Sequence, residues 1–436
     1  MRSLEFPRLL FELKEASMFR VLPLLAVVLF TVIISTPSLG DTVRTFDVPE
    51  LITLALKRTE LLAAHEKMVE ASRFAKDQST AWQNPAISFS AGNKSAAGKN
   101  GIAYDVGITQ PFYSPGKHKA AGDIGGVQEK LAGLSLTEAR LFIRYSIIRL
   151  SYQYAVADEL SRHLEERVTR FNTIRKYLVS RPFPSPKKRM EKHVVEMKLD
   201  LLSKNLDEVR ASKDITGAKL NLYLGLQTPF TVSAPWFKRG AVIAWDGLSA
   251  RVESGNIDIK KQLLVLERTK AETRLARSLA NPDFSLSVLY REDRVPDVER
   301  FTGAGITLNV PLWNRNRPGV KSMEASVEAE KAKAAFARRE AEQSLVTSFL
   351  EYEIAQRKLD RLPVTMLSGV HARLADADDA FSKGFIDLVT YGEVESQAFE
   401  MHLAVLGAQY DYVDKYVALQ ILQGSEEFSF PALAVI

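Results

Sequence analysis

Six histidines are the first residues to ask for chemistry, and their spacing withholds it. His65, His118, His163, His193, His371 and His402 stand at least 30 residues apart along the chain, and no two make the paired spacing of a local metal motif. There is no cysteine, which removes thiolate metal sites, disulfides and an acylated N-terminal cysteine together. No nucleophile with a base and no catalytic carboxylate pair can be picked out. The expectation is a protein with no catalytic residue, no cofactor and no metal site. Asp376, Asp378 and Asp379 form the one local acidic cluster. It is either a solvated helix face or, if it lines a passage, an acidic constriction that attracts cations.

Composition narrows the class. The 436-residue chain carries a net charge of +5 that is dispersed rather than gathered on one stretch, so a nucleic-acid face is not expected. Mean hydropathy is −0.09, too low for a polytopic helical membrane protein. One apolar run, Val21 to Ile34, is 14 residues long, short for a membrane span and right for the core of an export signal. Met18-Phe19-Arg20 supplies a basic start, and Ser38 and Gly40 place small residues for cleavage before Asp41. The reading is a signal peptide over 1–40, with Met18 as an alternative start; a buried or anchoring helix is the other use of such a run.

The elements that must position any site come in two copies. N-P-A-I-S-F-S at Asn84–Ser90 returns as N-P-D-F-S-L-S at Asn281–Ser287, V-G-I-T at Val106–Thr109 as A-G-I-T at Ala304–Thr307, and S-Y-Q-Y-A at Ser151–Ala155 as E-Y-E-I-A at Glu351–Ala355. The offsets are 197, 198 and 200 residues, so the chain is a duplicated unit of about 200 residues with a pseudo-symmetric architecture. The boundaries read as repeat one over 41–224, a linker or mixed subdomain over 225–256, repeat two over 257–423 and a tail over 424–436.

Within each copy the hydrophobic period changes. Pro49 to Ala81 reads as a helix, ended by Asn84-Pro85. A period of two follows. Ile87 and Phe89 oppose Ser88 and Ser90; after a turn-rich Gly92–Gly101, Ile102, Tyr104, Val106 and Ile108 oppose Ala103, Asp105, Gly107 and Thr109. In the second copy Phe284, Leu286, Val288 and Tyr290 oppose Asp283, Ser285, Ser287 and Leu289; after a charged loop Arg291–Arg300, Ile306, Leu308 and Val310 oppose Gly305, Thr307 and Asn309. Nine to eleven residues per strand is a bilayer-crossing length for a tilted strand. A half-buried soluble hairpin has the same alternation, but export and the absence of another sheet favour the membrane. Tyr104, Tyr113, Tyr290, Trp82 and Trp313 suit an interfacial aromatic belt or the packing of strand-to-helix junctions.

Long rods come next, Lys117 to Val179 and Val320 to Phe381, each roughly 90 Å at 1.5 Å per residue. Coiled-coil packing is the natural way to bury their stripes. Each rod turns back at a tip, Ser180–Pro186 with Ser185 as N-cap and Pro186 in the first helical position, and Ser382–Asp387 with Gly384 reversing the chain and Asp387 as N-cap. Return helices run over Lys187–Leu224 and Leu388–Leu422. Four strands cannot close a barrel, and an open edge cannot face lipid, so several chains must combine: three would supply twelve strands and six helical hairpins, two would supply eight strands.

With these motifs assembled, the chain resembles the TolC-like outer membrane factor family over about Phe46 to Gln423. The carriers are the paired N-P-x-[IF]-S-x-S strand starts, the paired G-I-T strands, and the exits Gln110-Pro111-Phe112-Tyr113 and Pro311-Leu312-Trp313-Asn314-Arg315-Asn316-Arg317. The second exit is similar to the P-L-F-N-R-N-R-G run of the CzcC-type cation-efflux branch, with Pro318 intervening before Gly319. The resemblance implies a mainly α chain with a transmembrane β-hairpin pair, forming a homotrimer: a TolC-like twelve-stranded outer membrane barrel continuous with a long α-helical coiled-coil tunnel in the periplasm. It implies a passive channel of a tripartite efflux system, partnered by outer membrane lipid, a periplasmic adaptor protein and an inner membrane pump of the RND or ABC type. A type I secretion exit duct and a soluble periplasmic helical-hairpin adaptor are the alternatives. It also places a gate just past the second tip. Thr390 and Glu393 fall where relatives carry acidic gate residues, with Lys188 and Glu191 at the matching positions of the first half. Thr390 departs from an acid, leaving one carboxylate per chain at Glu393. The tips at Ser185, Pro186, Gly384 and Asp387 are the expected adaptor contacts.

Overall fold

The chain enters its structure through a short strand and a capped helix. In a computed structural model that describes residues 44–180, 185–240, 242–295 and 297–425, strand β1 (Arg44–Asp47) leads into helix α1 (Val48–Arg58). The Asp47 carboxylate accepts the Glu50 N–H at 2.7 Å, and the Glu50 carboxylate accepts the Asp47 N–H at 3.3 Å, a reciprocal capping box. The export signal, its cleavage site and most of the tail beyond Ser425 lie outside the described residues, as do Pro182 and Pro184 of the first tip.

The helix expected over Pro49–Ala81 is two helices, α1 and α2 (Glu60–Ser79). Between them Thr59 takes an extended ψ of 118°, and its hydroxyl donates to the Ala55 carbonyl at 2.5 Å. A β-branched residue that back-bonds to the preceding turn favours leaving the helix there.

Beyond Asn84-Pro85 come β2 (Ala86–Ala96) and β3 (Lys99–Phe112), and in the second half β5 (Asp283–Arg294) and β6 (Val298–Asn309). The strands are longer than the period of two suggested. Gly92–Gly101 is not a loop: β2 and β3 stay paired out to Ala96↔Lys99, and only Ala97 and Gly98, with φ of 52° and 74°, make the turn. Two residues at positive φ match the twist of a hairpin. The charged stretch Arg291–Arg300 is likewise mostly strand, because cross-strand ion pairs satisfy its charges: Arg291 with Asp105 at 2.5 Å, Lys94 with Asp293 at 2.7 Å. The four strands form one antiparallel sheet in the order β2-β3-β5-β6.

From the sheet run the helices α3 (Pro115–Val179) and α7 (Arg317–Arg361). The 65 residues of α3 extend about 98 Å. The second rod is not continuous. It breaks at Leu362-Pro363 and resumes as α8 (Met366–Ser382), since a proline has no N–H to donate and disfavours helix at the residue before it. Return helices α4 (Pro186–Leu224) and α9 (Leu388–Leu422) pack back along these rods, and α6 (Ile257–Ser278) lies against α7 and α3. Between the halves, β4 (Phe230–Ser233) pairs in parallel with β1, and α5 (Leu248–Gly255) leads into α6.

Two of the buried cores join both halves of the chain. One centres on Tyr145, Tyr152, Tyr352, Tyr412 and Phe237, where the linker crosses α3, α7 and α9. The other, built from Leu164, Phe171, Val195, Leu202 and Tyr391, joins both helical hairpins toward the tips.

Candidate functional site

The sheet sorts its side chains by chemistry. Register pairs Ile87 with Ile108 and Ile108 with Val288, and likewise Phe89 with Val106 and Val106 with Tyr290; Leu286 meets Ile306 and Phe284 meets Leu308. All lie on one face, and Val288 there is 58% exposed. The other face carries Ser88, Ser90, Asp105, Gly107, Thr109, Ser285, Ser287, Gly305 and Thr307, with Asp105 accepting from Ser90 at 3.1 Å and from Arg291. Among the described residues nothing covers this apolar face. Along β5 the apolar band from Phe284 to Tyr290 spans about 20 Å at 3.3 Å per residue, close to the height of a lipid-facing belt.

Aromatic residues bound that band at both ends. Tyr104 and Tyr290 lie 6.4 Å apart between ring centres at one end. Beyond them Glu292 gathers Tyr290, Arg294 and Arg300 within 2.7 to 3.2 Å, a charged cap. At the other end Phe112 stacks on Phe284 at 5.0 Å and meets Trp82 edge-on at 5.5 Å. Trp313 is 95% exposed. The N-R-N-R run is scaffold at this point: Asn316 takes φ 53° at the start of α7 and donates to the Ala276 carbonyl at 3.0 Å. Among the described residues no helix is long and apolar enough to cross a membrane.

At the opposite end of the rods the tips are capped. Ser185 accepts the Lys188 N–H at 3.3 Å and Asp387 accepts the Thr390 N–H at 2.9 Å; this last bond holds the Asp387 carboxyl below the usual carboxylate range. Gly384 turns the chain at φ 75°. A cleft of about 990 Å³ lies between the tips and brings Lys188 and Glu191 of the first half together with Gly384 and Asp387 of the second. Ser185, Pro186, Thr390 and Glu393 are not part of its lining.

The expected gate residues behave differently from one another. Lys188 and Glu191 pair at 2.7 Å, so these two positions of the first half neutralise each other. Glu393 is exposed and accepts only the Gln397 amide at 3.0 Å, with no cation at ion-pair distance among the described residues. The aspartate cluster does not form one face. Asp378 accepts from the Tyr391 hydroxyl at 2.7 Å and sits 3.8 Å from Arg170, whereas Asp379 pairs with Lys383 at 2.7 Å. At 100° per residue, neighbours on a helix diverge, and a three-carboxylate constriction is not assembled within one chain.

Two buried features on the rods escaped the sequence. Arg167 and Glu395, 3% and 1% exposed, form a bidentate ion pair between α3 and α9, with the guanidinium 4.0 Å over the Phe399 ring and Lys198 3.8 Å from the carboxylate. One turn away three histidines that are scattered along the sequence converge. His163 on α3, His371 on α8 and His402 on α9 bring ring nitrogens within 4.8 Å of one another. Burial, with added repulsion from neighbouring cations and imidazoles, holds His163 down to about 3 and His402 down to about 4. Only tertiary packing joins residues this far apart in the chain, and no local signal marks them.

Residues 248–425 match the family model described as Outer membrane efflux protein. No curated protein matches by sequence. Among solved structures, a membrane protein from Pseudomonas aeruginosa superposes at TM-score 0.71 with 14% identity, covering 87% of this chain and 91% of its own. CusC, described with transmembrane channel formation, superposes at 0.70 with 13% identity over 86% of this chain and 91% of its own. The open state of the Neisseria gonorrhoeae MtrE outer membrane channel superposes at 0.70 with 14% identity over 86% and 88%. The likeness extends across both halves of the described chain.

Proposed function

From a chain that carries an outer membrane efflux protein domain in its second half and has the fold of outer membrane channels over most of its length, we propose that this protein is the outer membrane exit channel of a tripartite efflux system. The observation that carries the proposal is the four-stranded sheet with one continuous apolar face uncovered, joined directly to two long helices, α3 of about 98 Å and α7 of about 68 Å. Four strands leave two open edges, β2 and β6. Open edges are not stable in hydrocarbon, so copies must join edge to edge. Three copies make twelve strands, with apolar faces toward lipid and the serine, threonine and glycine faces toward a water-filled lumen.

Passage through such a tube is passive. The helices continue the duct through the periplasm, and the cleft between the tips is the place for a periplasmic adaptor to dock, linking the channel to an energised inner membrane pump. Glu393, one uncompensated carboxylate per chain, makes a three-fold acidic ring near the tunnel's periplasmic mouth that favours cations.

Fractionation tests the proposal. The protein should appear in the outer membrane as an oligomer that heat dissociates, and the purified oligomer should conduct in planar bilayers. Recovery as a soluble periplasmic monomer without conductance would sink it. Growth of a deletion strain across metals, drugs and secreted proteins then identifies the cargo.

A further inference from the structure

We propose that His163, His371 and His402 form a binding site for a divalent transition-metal ion of the zinc, copper, nickel or cobalt class, tying α3, α8 and α9 together within one chain. His163 is 3% and His402 0% exposed, and all four of their ring nitrogens lack a hydrogen-bond partner among the described residues. A buried polar atom without a partner is destabilising, and native structures rarely keep one. A neutral imidazole offers one lone pair and one N–H, so an ion that accepts lone pairs takes one nitrogen from each ring, and the three rings supply three such donors around one point.

The donor set selects the ion. Three imidazoles without a carboxylate or thiolate suit zinc, copper, nickel or cobalt, and not magnesium or calcium, which require oxygen ligands. Nitrogens 4.8 Å apart at most need to close to about 3.4 Å for tetrahedral bonds of 2.0–2.1 Å. The rings of His163 and His402 stack at 4.2 Å and 7°, so ligation turns them about χ2, a broad, soft torsion for histidine. His371 is exposed and gives the ion access to solvent and a water as fourth ligand.

Positive charge nearby is the main opposing effect, and most of it is already matched. Arg162 pairs with Glu159, Arg167 with Glu395, and Arg170 lies 3.8 Å from Asp378. A dication therefore enters a nearly neutral surrounding rather than a cluster of bare guanidiniums.

The site lies inside one chain's helices, so it stands or falls independently of transport. The test uses the full-length oligomer, purified in detergent through a tag without histidine and stripped with chelator. Titration with Co²⁺ should develop a visible d–d band saturating at one ion per chain, abolished by competing Zn²⁺. His371→Ala, an exposed change that leaves the helices intact by circular dichroism, should weaken Co²⁺ at least tenfold, since even partners behind the ligands contribute tenfold or more. His402→Gln should do the same, and His193→Ala, on the exposed face of α4, should change nothing. No saturable band in the wild type, or a band that survives His371→Ala unchanged, overturns the proposal and leaves the three rings as packing alone.

Discussion

Replacing Glu395 by alanine should loosen the joint between α3 and α9, by an amount the structure sets. Arg167 donates from Nε and Nη2 to both carboxylate oxygens, with neither side chain more than 3% exposed. Without the carboxylate, a buried guanidinium keeps only the Phe399 ring at 4.0 Å, and the Lys198 ammonium, 3.8 Å from the lost oxygen, adds a second cation to the same pocket. Breaking one side of a buried pair costs about 3–5 kcal/mol, whereas replacing both by apolar groups is near neutral or better. Arg167→Met with Glu395→Leu should thus be far more stable than Glu395→Ala. Native-state hydrogen exchange on the purified oligomer reads this locally. Amides of α3 and α9 around the pair should lose protection by a factor of about 10² to 4 × 10³ in Glu395→Ala, at tenfold per 1.4 kcal/mol, and the double variant should recover most of it. A double variant that exchanges as fast as Glu395→Ala would mean that packing, not uncompensated charge, sets the cost.

The two faces of the sheet give a matched pair. Val288→Arg, on the apolar face, should cost about 2–4 kcal/mol near mid-bilayer and lower the yield of heat-modifiable oligomer, while Ser287→Arg, one residue away on the polar face, should assemble and change conductance; equal assembly defects would reverse the assignment of faces. Glu393→Gln should lower the cation preference measured by reversal potential in planar bilayers, and an unchanged potential removes Glu393 from the conduction path. Gly384→Val puts a β-branched residue at φ 75°, a penalty of about 1–2 kcal/mol or more confined to the tip. It should leave oligomer and conductance intact while reducing efflux in cells and cross-linking to the adaptor, and retained cross-linking argues against docking at this cleft.

Much of this fold was readable because each copy changes period in the same order. Alternation from Ile87 to Phe89 and from Phe284 to Tyr290 assigned the faces of the sheet, and Ser185, Gly384 and Asp387 marked the tips. The strand ends were lost where charge replaced alternation: Arg291, Asp293 and Lys94 look like loop residues until their cross-strand partners are known. The break at Pro363 was signalled by the proline itself, inside an otherwise unbroken helical pattern. Thr59 left no comparable mark, because threonine is tolerated within helices. The histidine cluster and the Arg167–Glu395 pair are products of packing that brings α3 against α8 and α9, more than 200 residues further along the sequence.

The unpaired edges of β2 and β6 have a consequence for inheritance. A closed ring has no use for a subunit whose edge cannot pair, yet that subunit still offers one sound edge and is drawn into assembly. A proline or bulky insertion in β6 thus spoils each ring it enters. In a ring of three with variant and normal copies made equally, only about one ring in eight is free of the fault, by random closure of a symmetric assembly. On the proposed three-copy ring, lesions in the two edge strands should therefore be dominant, whereas lesions that prevent a chain from folding at all remove it from the pool and should be recessive.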